Sequence, residues 1–362
     1  MRHLGLNIED SNKHYEQRLY RDVKSCAPAI GTAFRMLLGS SLMLSMVFIG
    51  PAAYAQDRSS YPLTAIDDPL ELQKSEVWDV YGEFAVRGAK VHRASLQAMV
   101  QTGIKNLTGL ADPNEAWRCF INDDDIVALK FTRPGGAALG TNQALAAVLL
   151  EGFYRAGFKP ENFLIVGLDE LPEQAQGTRL WRYGWQEEAV DFATDTDHLS
   201  AWLDEVTAII NIPSIMDDNI FGLRCCLTNL SYPLLKRPAR LYINRGDPFI
   251  CDIYRLPHIR NKIRLHIANA LRVLYYGGPE VKQRYVIEPG SLMFSTDPVA
   301  LDRVALHLVQ RARQTMTMPS GASEKISAPY LDTAYAYGLG YNDLNFINYR
   351  YLKHEKWGST PK

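Results

Sequence analysis

Residues 126–167 constrain the fold more than any other part of the chain. Ile126-Val127-Ala128-Leu129 is an apolar run ending at Lys130, and Pro134-Gly135-Gly136 forces a loop. Thr141 or Asn142 then opens an apolar helical pattern that runs to about Ala156, where Gly157 stops it, and 163–167 is a second apolar run. Strand, helix, strand at this spacing is a βαβ unit, which requires parallel pairing and a right-handed crossover. The runs 206–212 (closed by Pro213), 264–268 and 291–294 add strands, and Asp297 caps a long helix with Pro298 in its first position. These elements predict an α/β fold: a mostly parallel central sheet with helices on both faces, in a single large domain. The rest reads less regularly. Residues 56–88 form an irregular leader, 89–107 an amphipathic helix, and 171–196 a polar, Trp-rich excursion. Residues 219–231 look helical, 247–256 read as a helix opened by Pro248, 329–337 as a short helix and 346–351 as a closing strand. The expected boundaries are 1–55, 56–88, 89–352 for the folded domain and 353–362 for a tail.

The N-terminus reads as an export signal. Residues 36–55 carry no charge, Pro51 breaks the apolar run, and Ala53-Tyr54-Ala55 supplies the small-x-small pattern before Gln56. Basic residues precede the run, without an Arg-Arg pair, and no Cys lies just after it. The expected location is therefore periplasmic or secreted, with cleavage after Ala55 and no membrane span afterwards. The alternative is an uncleaved anchor, since about 20 apolar residues can cross a bilayer.

Charge and motif content exclude several functions. With 39 basic and 40 acidic residues, net charge −1, the chain lacks the basic excess that nucleic-acid binding needs. There is no P-loop, G-x-G-x-x-G, G-x-S-x-G or H-E-x-x-H, and no C-x-x-C, so zinc ribbons and ferredoxin-type clusters lack their ligand spacing. Cofactors stay unassigned and no metal site is expected. Asp195-Thr196-Asp197-His198 offers metal-ligand types, but reads better as polar groups before a helix. Trp181, Trp185 and Trp202 read as packing. Cys119, Cys225, Cys226 and Cys251 read as small buried hydrophobes, with pairing left open.

Residues 125–313 resemble the domain of unknown function 362 (DUF362) family. Three segments carry the resemblance: 126–157; Ile209-Ile210-Asn211-Ile212-Pro213 with Cys226-Leu227-Thr228-Asn229-Leu230; and Asp247-Pro248-Phe249-Ile250-Cys251-Asp252-Ile253-Tyr254, Leu265-His266-Ile267, Gly277-Gly278-Pro279 and Ser295-Thr296-Asp297-Pro298-Val299-Ala300-Leu301-Asp302-Arg303. Some members of the family are exported and some carry iron–sulfur domains; its reaction is not established. The resemblance implies a divergent member. The family's lysine and nearby histidine after Pro213 are replaced within Ile215-Met216-Asp217-Asp218-Asn219. A leucine-lysine-asparagine reads Leu227-Thr228-Asn229, a threonine-histidine reads Thr141-Asn142, an arginine-x-histidine reads Arg240-Leu241-Tyr242, and an aspartate reads Asn269. Titratable groups are lost while glycines, prolines and apolar positions stay.

The remaining polar positions define the candidate site. Lys130 ends a strand beside the glycine loop, at the edge where open α/β sheets bind ligands. Lys130 and His266 are the catalytic candidates, with His266 expected to be the nearby group that titrates near neutral pH. Thr141, Asn229, Arg240, Asp297 and Asp302 are the ligand-binding candidates. Lys130, Arg240 and the helix start at Asp297 are expected to form an anion-binding cleft, approached closely along Gly135-Gly136. Two functions stay open: an exported, catalytically degenerate protein that binds a small anion or a partner protein, and an extracytoplasmic enzyme, redox-associated or isomerase-like, acting on a carboxylate-type small molecule.

Overall fold

A computed structural model describes residues 74–354 except Pro134 and Thr194, without the side chains of Arg240, Leu241 and His354. The expected signal at 1–55 and the tail beyond 354 lie outside the described residues.

Eleven strands make the central sheet. They are β1 (Ser75–Gly82), β2 (Val127–Phe131), β3 (Phe163–Val166), β4 (Arg179–Trp181), β5 (Ala208–Ile212), β6 (Ser214–Asp218), β7 (Gly222–Arg224), β8 (Ile263–Leu274), β9 (Val286–Ile287), β10 (Ser291–Ser295) and β11 (Ile347–His354). The helices that matter for the site are α1 (Arg93–Thr108), α2 (Pro113–Arg118), α3 (Asn142–Arg155), α4 (Cys226–Asn229), α5 (Phe249–Tyr254), α6 (Pro298–Thr315) and α7 (Tyr330–Ala336). The main path of the sheet is β11-β1-β10-β8-β5-β2-β3-β4, with β6 and β9 also on β8 and β7 on β6. From β8 through β4 this path is parallel, while β10 runs antiparallel to both β8 and β1. The sheet is thus α/β and mostly parallel, as expected.

The βαβ unit β2–α3–β3 forms because β2 and β3 are fully buried apolar runs and α3 buries Leu145, Leu149 and Phe153 between them. Gly157, at φ 91°, takes the left-handed conformation that ends α3. Two cores lie on opposite sides of the sheet. On one side Leu129, Ile210, Leu265 and Phe294 meet residues of α1 and α3. On the other, Ala128, Ile209, Ala268 and Met293 meet α4, α5 and α6. The Asp297 carboxylate caps α6 through Val299 N and Ala300 N, both at 2.9 Å, as predicted.

Four local readings change. Residues 75–82 are not irregular: β1 lies inside the sheet, between β10 and β11. Residues 219–231 are not one helix. Asp218 accepts from Ile220 N and Phe221 N and turns the chain into β7, so only the four residues of α4 are helical. The 171–196 excursion supplies β4, and its last residues pair as a small hairpin, Val190–Phe192 with Asp195–Asp197. The strand begun at 264 extends through Leu274, because β6 and β9 continue the pairing after β5 ends.

Candidate functional site

The period of a strand sends alternate residues to opposite faces, so register determines what meets across the sheet. Lys130 of β2 pairs with Asn211 of β5, Asn211 with His266 of β8, and His266 with Ser295 of β10. Four polar residues therefore line up on one face, in a single row across four strands. All four are buried.

α4 lies over this row and completes its hydrogen bonds. Lys130 Nζ donates to Asn229 Oδ1 at 3.0 Å and to the Phe131 carbonyl at 2.9 Å. Asn229 Nδ2 donates to the Lys130 carbonyl at 3.1 Å and to Asn211 Oδ1 at 2.7 Å. Asn211 Nδ2 donates to the Cys226 carbonyl and to His266 Nδ1, both at 3.0 Å. His266 Nδ1 therefore accepts, which places the ring proton on Nε2, 3.3 Å from the Tyr254 hydroxyl of α5.

The same network continues along the ends of β2 and β5. Thr132 Oγ1 donates to Asn229 Oδ1 at 3.3 Å and accepts from Ser214 N at 2.9 Å. Ser214 Oγ and Asn269 Nδ2 both donate to Asn142 Oδ1, and Asn269 Nδ2 also donates to Thr141 Oγ1. Asn142 Nδ2 is buried with no partner. The Gly135-Gly136 turn packs against this group. A Cβ on Gly136 would lie 2.5 Å from the Thr132 carbonyl and 2.9 Å from Asn142 Nδ2. The glycines thus let backbone and side chains of the protein itself approach closely.

Burial decides the protonation of the row. It lowers Lys130 to about 7 and His266 to about 3. His266 is thus a neutral imidazole at physiological pH, and the expectation that it titrates near neutrality gives way to Lys130. Among the described residues no carboxylate pairs with Lys130. Its positive form is costly in this environment and its neutral form accessible near pH 7.

The other candidates fall around the row or away from it. Asp302, fully buried on α6, accepts from Cys226 N at 2.5 Å and Leu227 N at 3.1 Å, so it holds the start of α4. Burial raises its carboxyl to about 6, against the pull of those two N–H groups. Asp297 does not join Lys130. Its carboxylate is taken by Val299 N, Ala300 N, Tyr341 N and the Ser75 hydroxyl, so the start of α6 is already filled. The side chain of Arg240, and with it its expected contribution to the cleft, lies outside what is described. Thr141 sits at the far end of the network, through Asn269.

Sequence reasoning missed Asn211, Thr132, Asn142, Ser214, Tyr254 and Asn269 as site residues. The signal for Asn211 was present: one amide inside the otherwise apolar strand 206–212. The others acquire meaning only through the fold. Cys225, Cys226 and Asp302 form the one group among the described residues whose donor atoms lie close enough to share a metal ion, within 4.8 Å of one another. Both thiols are pushed up by burial, Cys225 to about 11. All four described cysteines are buried, as hydrophobes would be. Asp197 and His198 serve local structure: Asp197 accepts from His198 N and Arg237 N, and His198 Nδ1 meets the Gln186 carbonyl.

At the positions where the resemblance implies a lysine and a nearby histidine, the described residues form internal ion pairs. Asp217 binds Arg313 and accepts from Gly278 N, and Asp218 binds Arg224 at 2.5 Å. Comparison with protein families matches the model described as Domain of unknown function (DUF362) to residues 166–307. Asn211, Asn229, His266, Asp297 and Asp302 lie inside the match, and Lys130 and Thr141 before it. No curated protein matches the chain.

Proposed function

We propose, from the premise that this chain belongs to the DUF362 family through residues 166–307, that it is an exported binding protein for a small anion, with Lys130 as the anion's anchor. One observation carries the reading. Lys130 is a buried amine at the C-terminal end of an interior parallel strand, where α/β sheets bind ligands, and it is held by two neutral acceptors instead of a carboxylate. An incoming carboxylate or phosphate would supply the missing opposite charge and restore the protonated state. Entry requires α4 to move aside. It is only four residues long and has little helical stability of its own. The internal pairing of Asp217 and Asp218 supports a degenerate site, since these positions now hold loops together.

The test is a thermal-shift series with inorganic phosphate, acetate, succinate and lactate on the wild type and Lys130→Met. At least one anion should raise the melting temperature of the wild type and leave the variant unmoved. No response in the wild type, or equal responses in both, overturns the reading.

A second reading is an enzyme acting on a carboxylate-type molecule. Lys130 near 7 and Asp302 near 6 favour it, since groups poised near neutrality suit proton transfer. Turnover of a bound carboxylate, lost in Lys130→Met, would decide for it. Export itself rests on the uncharged run 36–55 and Ala53-Tyr54-Ala55. N-terminal sequencing of the extracytoplasmic protein should begin at Gln56, and intact precursor in the cytoplasm would refute export.

A further inference from the structure

A pocket lies three strands from Lys130, between α6 and the strands β1, β10 and β11. Its volume is about 560 Å³, within the range of small-molecule sites. The walls are mostly apolar, with Met293, Leu308 and Ile347 among them, and His307 and Thr315 also line it. At the floor stands Asp79 of β1, only 4% exposed. The Tyr349 hydroxyl donates to its Oδ2 at 2.5 Å, but Oδ1 is buried with no hydrogen-bond partner. Burial raises this carboxyl, against the pull of the Tyr349 and Ser291 hydroxyls. Arg311, one of the α6 residues lining the pocket, makes no ion pair among the described residues.

An acid on an apolar floor is expensive, and an unfilled acceptor oxygen adds to the cost. Packing gives no reason for it: an apolar residue of similar size would sit better among Met293, Leu308 and Ile347. The position makes sense when a donor enters the pocket. The walls require an apolar body, and the floor a hydrogen-bond donor of positive charge.

We infer that this pocket is a binding site for a small apolar amine, whose ammonium donates to Asp79 Oδ1 while its body packs on Met293 and Leu308. The site is separate from the polar row and independent of what Lys130 binds.

Isothermal titration of the full chain with phenethylamine, and with 3-phenylpropionate as its acidic counterpart, tests the inference. The amine should bind, the acid at least tenfold more weakly or not at all, and Asp79→Asn should weaken the amine at least tenfold. In the wild type, the methyl resonance of Met293 should shift as amine is added, which keeps the test independent of how the variant folds. Absence of amine binding, equal affinity in Asp79→Asn, preference for the acid, or an unmoved Met293 methyl would each overturn it.

Discussion

The two faces of the sheet come from the same strands, one residue apart, and are built on opposite terms. Beneath α1 and α3 the strands present Leu129, Ile210, Leu265 and Phe294, and Gly103 of α1 lies flat on the Phe294 ring: a Cβ there would come within 2.1 Å of it. Beneath α4 and α5 the same strands present Lys130, Asn211 and His266, joined through Asn229 by directional bonds, and beside them Ser295, which bonds the Glu76 carbonyl and Asp297 N. The apolar face gains by burial and tolerates sliding until shapes clash. The polar face tolerates no sliding, because each shift would orphan a buried donor or acceptor. The contrast teaches that a row of directional bonds can be set into one side of a sheet whose two sides both carry apolar cores, so that chemistry can change in the row while the cores keep the fold.

The largest expected effect is on the apolar face. Phe294→Ala should cost about 3–5 kcal/mol in urea unfolding, with no dependence on pH between 5 and 9. A strong pH dependence of that cost would show that the faces are coupled. On the polar face, Lys130→Met should change how stability varies with pH. The folded-state value near 7 lies below the ordinary 10.5, so between these the unfolded chain binds a proton the native state lacks. Wild-type stability should rise across that window by at most about 1.4 kcal/mol per pH unit. The slope should be lost in the variant, and an unchanged slope would mean that Lys130 keeps its charge when buried.

Asp302→Asn is expected to cost about 1–2 kcal/mol near neutral pH through weakened bonds to Cys226 N and Leu227 N. Its folded-state value near 6 lies above the ordinary 3.8, so its contribution falls as pH rises from 3.8 to 6, and this fall should vanish in the variant. Denaturant titrations at pH 4 and 6 check it. The smallest effect belongs to Asp79→Asn, under about 1 kcal/mol either way, because the carboxylate it replaces is already half unsatisfied. A loss of several kcal/mol would make Asp79 a structural residue.

Much of this contrast was legible in the sequence, and the gaps have physical causes. The β2–α3–β3 unit was readable because its pattern is local and its stop is a glycine. The Asp297 cap was readable for the same reason. β1 was missed because Glu76 and Asp79 interrupt its apolar residues, and what makes it a strand is pairing with residues more than 200 positions away. Lys130, Asn229 and His266 were singled out and do meet. Asn211, which joins them, was not, because a lone amide in a strand gains meaning only from register. The helix start at Asp297 was expected beside Lys130 as part of one anion-binding cleft, but β10 runs antiparallel, and that helix start is filled by its own aspartate.

The position of β1 has a consequence for the order of assembly. It is held by β10 on one side and by β11 on the other, so an early strand waits for partners made from the end of the chain. Closing such a long stretch carries an entropy cost before any pairing rewards it. A chain emerging from the ribosome can form the β2–α3–β3 unit from its own neighbours, yet it cannot seat β1 fully until residue 354 is free. Until then that flank of the sheet stays unfinished, and the nascent protein remains open to factors that act on incompletely folded chains.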